Sequence, residues 1–153
     1  MKDRMLSKEM HEKLMGEIGR NDKFIELMGI RIVEVDEGYC KGELEVTDQH
    51  MNPLGTVHGG CLYTLADTVA GFAAASCGFE GPTLSGNMYF LRPTMGVKKL
   101  TCESRVVKAS VSALWKQRFT AIMGRKFQEV FWNIWICSVK WLSKKKINSD
   151  RIN

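Results

Sequence analysis

Apolar positions recur along this chain with two different periods, and the switches between them divide it into elements. Residues 3–28 alternate charge with Met, Leu, Ile and Phe at helical spacing, as in Leu14 and Ile18, then Phe24, Leu27 and Met28. That spacing predicts one or two short helices stopped at Gly29. From Ile30 to Val46 the stretch "IRIVEVDEGYCKGELEV" alternates apolar and polar residues around a turn at "DEGY". Such alternation predicts a β-hairpin or a long bent strand pair. "TDQHMNPLG" carries Pro53 and Gly55 and reads as a loop.

From His58 to about Cys77 the helical period returns. Leu62, Leu65, Val69 and Phe72 form one apolar stripe, and most of the rest is Ala, Gly, Ser and Thr. Small residues let neighbours pack closely on all sides, so this helix is expected to be buried rather than laid on a surface. "PTLSGNMYFLRPT" (82–94) predicts a strand with Pro93 near its exit, and "KKLTCESRVVKAS" (98–110) a further strand. The order of helices, hairpin, buried helix and strands predicts an α+β fold. Its short connections favour an antiparallel sheet. The 153 residues suffice for one domain with a real core.

Composition narrows the class. A hydrophobic fraction of 44% and a charged fraction of 25% are those of a soluble globular protein. The first twenty residues are charged throughout and lack the apolar core of a signal peptide. The apolar run from Cys61 to Cys77 is interrupted by Asp67 and falls short of the roughly 20 apolar residues that a membrane span needs. A cytoplasmic location is expected. The five cysteines are odd in number and form no CxxC pair. That argues against a disulfide framework or a structural zinc site and leaves buried free thiols. The net charge of +5 is unevenly spread. Residues 111–153 hold nine Lys or Arg against two Asp or Glu, together with all four tryptophans. A basic segment can attract nucleic acid or an acidic membrane surface. No nucleic-acid-binding motif accompanies it, so neither partner is expected.

Candidate chemistry concentrates in "NPLGTVHGGCLYTLADTVAG" (52–71). Asp67 is its one acidic residue, and a carboxylate in a helix made for burial must be hydrogen-bonded or functional. Thr64 and Thr68 are the neighbouring hydroxyls that could satisfy it; a subunit interface is another structural explanation. "HGG" opens the helix, where backbone N–H groups are unpaired and the dipole is positive. Glycine lets another group approach closely, so the site can receive an anion or a polarised carbonyl oxygen. A plain helix start with turn-forming Gly59 and Gly60 is the alternative. Asn52 could donate to a substrate or a water, or simply serve the turn before Pro53. Ser85 is ambiguous in the same way.

The pattern N-P-x-G-x-x-H-G-G, with the Asp of "LADT" eight residues beyond Gly59, resembles the hotdog-fold acyl-CoA thioesterases. The nearest branch is the phenylacetate-pathway type of the 4-hydroxybenzoyl-CoA thioesterase superfamily. "PTLSGNMYFLRPT" is similar to that family's next strand, and the resemblance covers about residues 22–110. It implies a hotdog fold, in which a curved antiparallel sheet wraps a long central helix. It also implies assembly as a homodimer or homotetramer with active sites at the dimer interface. The implied activity is hydrolysis of an acyl-CoA thioester, aromatic or medium-chain, to free acid and CoA. No cofactor is implied, coenzyme A being part of the substrate. In the implied site Asp67 is the general base or nucleophile, and the Gly59 N–H is the oxyanion donor. Asn52 and His58 hold substrate or a water, and Ser85 helps to position water. Gly60, Thr68, Asn87 and Arg92 are the implied substrate-binding positions. Arg92, Lys98, Lys99 and Arg105 are candidates for the CoA phosphates, with solvated surface charge as the alternative. The competing readings are a hotdog dehydratase, a non-catalytic acyl-CoA-binding or sensing module, and an inactive truncated thioesterase. Asp67 favours hydrolysis.

The segment after about residue 110 departs from the family, which continues there with two alternating strands and a Gly-Lys turn. Residues 111–153 lack clear alternation, so C-terminal strands are not expected from the pattern. A shifted reading frame explains this. One permitted back-translation of residues 114–141, read in another frame, alternates and contains the Gly-Lys turn. The alternative is a genuine divergent tail that forms a helix with Phe127, Val130, Phe131 and Ile134 as its apolar face. The expected organisation is a helical segment at 1–28, a partial hotdog domain at 29–110 and an atypical basic tail at 111–153.

Overall fold

The computed structural model describes residues 8–18, 22–78, 82–83, 85–90, 92–109, 113–123 and 126–137. Helix α1 (Lys8–Lys13) runs on into one π-helical turn (Leu14–Ile18), which buries Leu14. Helix α2 (Lys23–Met28) is bounded by local chemistry at both ends. Asp22 accepts the Phe24 and Ile25 N–H groups at 3.0 Å each, and Gly29, at φ 64°, returns its own N–H to the last carbonyls. A left-handed terminator of this kind favours glycine.

Strands β1 (Ile30–Asp36) and β2 (Tyr39–Glu45) form the expected hairpin, with Ile30 opposite Leu44 and a turn through Gly38 at φ 72°. Strand β4 (Val97–Ala109) pairs antiparallel with β2, placing Leu44 opposite Leu100 and Gly42 opposite Cys102. Alternation sends Cys40, Leu44, Leu100 and Cys102 into the core. The other face carries cross-strand ion pairs, Lys99 to Glu43 at 2.6 Å and Lys41 to Glu103 at 3.7 Å. With β3 (Ser85–Gly86), β5 (Ala113–Met123) and β6 (Lys126–Cys137), the sheet has the order β1-β2-β4-β5-β6-β3.

Helix α3 (Gly59–Ser76) packs across β1, β2 and β4, burying Leu62, Leu65, Val69 and Phe72 as the apolar stripe requires. It comes so close to β2 that a Cβ on Gly42 would lie 2.5 Å from Val69 Cγ2. Its C-terminal end is tied to the hairpin turn. Ser76 Oγ accepts the Gly38 N–H at 2.8 Å and donates to the Ala73 carbonyl at 2.7 Å. The central helix, the antiparallel sheet and the α+β class agree with the expected hotdog fold.

Three expectations are corrected in detail. Helix α3 is not buried on all sides: Gly60, Tyr63 and Gly71 are exposed, and Thr64 and Asp67 are half-buried. Small residues permit burial, but the single sheet covers only one face. Among its described residues, the 82–94 segment contributes the two residues of β3 to the sheet, opposite Ile136 and Trp135 of β6. It lies at the sheet's edge, and a strand is propagated by ladder partners, which β6 supplies for those two residues. Residues 113–123 and 126–137 are extended and paired, β5 to β4 and β6 to β5, where the pattern gives no strand. Their Trp, Phe, Ile, Val and Thr content suits a pleated backbone even without alternation. The proposed helical face on Phe127, Val130, Phe131 and Ile134 is therefore not formed.

Candidate active site

The N-terminal end of α3 is built by the loop before it. Asn52 closes that loop on itself. Its side-chain amide donates to Thr56 Oγ1 at 2.7 Å, and its Oδ1 accepts the Leu54 and Thr56 N–H groups at 2.9 and 3.2 Å. His50, buried behind it, accepts the Thr47 N–H at Nδ1 (2.9 Å) and lies 3.2 Å from the Met28 carbonyl at Nε2. The ring proton therefore belongs on Nε2, and the imidazole ties the loop to the end of α2. The sequence pattern did not single out His50, because its two partners lie on either side of a hairpin.

His58 caps α3 from an extended backbone, its Nδ1 accepting the Gly60 N–H at 2.9 Å. Its backbone N–H donates to the His50 carbonyl at 2.8 Å. That capping role also places its ring proton on Nε2, which faces outward from an exposed residue. Gly59 is the first helical residue, and its N–H has no partner among the described residues. Among the described residues it is an uncommitted donor at the positive end of an eighteen-residue helix. The tip of the Phe90 ring rests against Gly59: a Cβ there would meet Phe90 Cζ at 3.1 Å.

Asp67 lies on the open stripe of α3, and its Oδ1 accepts a hydrogen bond from Thr83 Oγ1. Neither neighbouring hydroxyl satisfies it, as the sequence suggested. Thr64 is turned back to the Gly60 carbonyl at 2.9 Å, and Thr68 is half-buried without bonding to Asp67. A tertiary contact sixteen residues away takes that place, and the local pattern carries no signal for it. Tyr63 donates to the Gly86 carbonyl at 3.2 Å, so Thr83 and Gly86 both meet the Asp67 face of the helix, with Ser85, exposed, next to Gly86 in β3. Asn87 and Arg92 are exposed beyond it.

The other phosphate candidates are placed on the sheet. Lys99 is engaged with Glu43 and Glu45, Arg105 stacks over the Tyr39 ring at 4.2 Å, and Lys98 is exposed. Lys99 and Arg105 thus have structural partners away from the α3 N-terminus. Cys40, Cys61, Cys77 and Cys102 are free thiols. Burial pushes the Cys61 thiol up to about 11, which keeps it protonated and unreactive near neutrality. Among the described residues, no His, Cys, Asp and Glu side chains group into a metal site, and no helix is long and apolar enough to cross a membrane.

The family model described as "Thioesterase superfamily" matches residues 54–121, a span that takes in the α3 N-terminus, Asp67 and the 83–90 segment. The acyl-coenzyme A thioesterase PaaI of Escherichia coli is 35% identical over 86 residues, 56% of this chain and 61% of that protein. At 61% there and 64% for a relative from Archaeoglobus fulgidus, the chain spans less than two thirds of the length of these curated relatives. The solved structure of the Escherichia coli PaaI protein superposes with a TM-score of 0.74 at 25% identity, covering 88% of this chain and 96% of that one. A Streptococcus mutans structure bound to acetyl CoA superposes with a TM-score of 0.65 at 26% identity, covering 72% of this chain and 88% of that one. Fold and motif agree with these similarities: the chain has the hotdog fold, and over residues 54–121 its sequence is similar to the thioesterase superfamily.

Proposed function

We propose that this chain hydrolyses acyl-CoA thioesters, and that residues 29–110 carry the chemistry. The observation that carries this reading is a Gly59 N–H, without a partner among the described residues, at a helix N-terminus, combined with an Asp67 carboxylate on the open stripe of the same helix. Acyl transfer needs a donor for the developing oxyanion and a base for water. Asp67 takes a proton from water as the water oxygen attacks the thioester carbon. The carbonyl oxygen becomes an oxyanion held by the Gly59 N–H. The C–S bond then breaks, and the CoA thiolate leaves and collects a proton. Free acid and CoA are the products. His58 orders the α3 N-terminus through its cap. Asn52 keeps a second amide hydrogen for the water or substrate, and Ser85 would help to position the water. Gly60 and Thr68 would border the substrate on α3, and Asn87 and Arg92 beyond β3. The acetyl CoA in the Streptococcus mutans structure and the similarity to the acyl-coenzyme A thioesterase PaaI support the substrate class.

Spacing determines how such a site assembles. Eight residues separate Gly59 from Asp67, about 12 Å along a helix axis. Both groups must come within about 3 Å of one reacting centre. One α3 cannot do this alone, but two antiparallel copies can, with Gly59 of one subunit facing the partner's Asp67. We therefore place the site between two subunits of a homodimer. The exposed apolar side chains Leu54, Tyr89, Phe90 and Met95 suit that contact and an aromatic or medium-chain acyl group.

The test is free-thiol release from a panel of acyl-CoAs by the purified chain and by Asp67→Asn, which keeps size and removes the charge. Turnover should fall by about 10²-fold or more in the variant. Retained activity in Asp67→Asn would overturn the assignment. Tight acyl-CoA binding by a folded wild-type chain without hydrolysis would favour a sensing module.

A further inference from the structure

We propose that Thr83 is a positioning residue for the Asp67 carboxylate, an inference that rests on the thioesterase reading above. The Thr83 hydroxyl donates to Oδ1 of Asp67. Thr64, the hydroxyl one turn away, is committed to the Gly60 carbonyl and leaves that place to Thr83. A second bond holds the same segment to the helix: Tyr63 donates to the Gly86 carbonyl at 3.2 Å. Tyr63 and Asp67 are four residues apart, so they stack on one face of α3. Thr83 and Gly86 are thus both held to the helix, by anchors one turn apart, and Thr83 supplies the anchor that reaches the carboxylate.

The consequence is orientational. Asp67 is half-buried on the open stripe, where a short carboxylate side chain can sample several staggered χ1 wells. One hydroxyl donor on Oδ1 selects one well and leaves Oδ2 for the water proton. A threonine hydroxyl suits this because it donates one hydrogen and adds no charge that would neutralise the base. The bond acts on the chemical step and not on acyl-CoA binding, so kcat carries the effect and KM does not.

Three variants and two readouts test this. Thr83→Val keeps the shape and removes the hydroxyl; its kcat should fall by about tenfold or more, because the reactive orientation is lost for most of the time. KM should stay within about twofold. Thr83→Ser restores the donor and should recover most of kcat, which a packing role for the methyl group would not allow. In an Asp67→Asn background, Thr83→Val should cost little more, since residues that act as a unit are not additive. The second readout does not depend on turnover. Three-bond couplings of the Asp67 β-protons should report one χ1 rotamer in the wild type and in Thr83→Ser, and averaging in Thr83→Val. A wild-type kcat in Thr83→Val, an equal loss in Thr83→Ser, or an unchanged Asp67 rotamer in Thr83→Val would each overturn the proposal. Should the wild-type chain release no thiol at all, the thioesterase reading fails. The rotamer comparison then still decides whether Thr83 positions Asp67.

Discussion

Replacing Gly42 by alanine tests how closely the central helix is seated. Gly42 lies in the middle of β2 opposite Cys102, under the buried face of α3. The added methyl would sit 2.5 Å from Val69 Cγ2 and 3.5 Å from Ile32 Cδ1. Ordinary contact begins near 3.4 Å, so α3 and β2 must separate by about 1 Å or Val69 must turn. Turning is costly, because valine in a helix strongly prefers one χ1 rotamer. Overpacking of this kind costs about 1–3 kcal/mol. The reduced freedom of alanine in the unfolded chain returns up to about 1 kcal/mol. The net expectation is a loss of about 1–2 kcal/mol. Function should suffer more than stability. Asp67, the proposed base, is two residues from Val69 on the same rigid helix, and a 1 Å misplacement of a reacting group costs on the order of 10²-fold in rate. Urea unfolding followed by tryptophan fluorescence measures the first quantity, and thiol release from acyl-CoA the second. Val69→Ala makes room for the new methyl. The double variant should be more stable than the two single losses predict by about 1 kcal/mol or more. An unperturbed Gly42→Ala, or single losses that add within about 0.5 kcal/mol, would refute the close seating of α3.

Alkaline pH should destabilise the fold. Burial raises the Cys61 thiol from 9.0 to about 11 and, with the charge of Glu103, the Tyr39 phenol from 10.0 to about 12. The folded state keeps protons that the unfolded chain releases, so this stability is whole below about pH 9 and lost as pH rises through the raised values. Cys61 accounts for part of it, and Cys61→Ala should flatten the fall in urea midpoint between about pH 8 and about pH 10.5. An unchanged slope would count against the burial argument. Ser104 is fully buried, and its hydroxyl has no hydrogen-bond partner among the described residues. Ser104→Ala should therefore leave thermal stability unchanged or raise it by about 1 kcal/mol; a clear loss would reveal a partner for the hydroxyl. If the proposed two-subunit site is right, mixing Asp67→Asn with Gly59→Pro, which deletes the proposed oxyanion donor at a first helical position whose backbone accepts proline, should regenerate up to about a quarter of the parent activity through hybrid dimers. No recovery from hybrids that demonstrably form would place both groups in one subunit.

Local chemistry determined much of this protein. The hairpin, the extent of α3, the stop at Gly29 and the pairing of an anion-receiving helix start with a lone carboxylate all follow from period, caps and residue type. Each of these depends on neighbours within a turn or two, which the sequence displays directly. Tertiary structure decided what depends on register and on how far the packing extends. The approach of Val69 to Gly42 needs a helix laid over one particular rung of the sheet. The partner of Asp67 proved to be Thr83 and not a neighbouring threonine, because a segment from beyond the helix returns along its open face. That face is open at all because one sheet covers only one side of a helix whose small residues would allow burial on every side. Residues 113–123 and 126–137 show the same limit in reverse. Backbone pairing onto β4 requires only an extended chain and a free ladder edge, so strands form there without the alternation that would announce them.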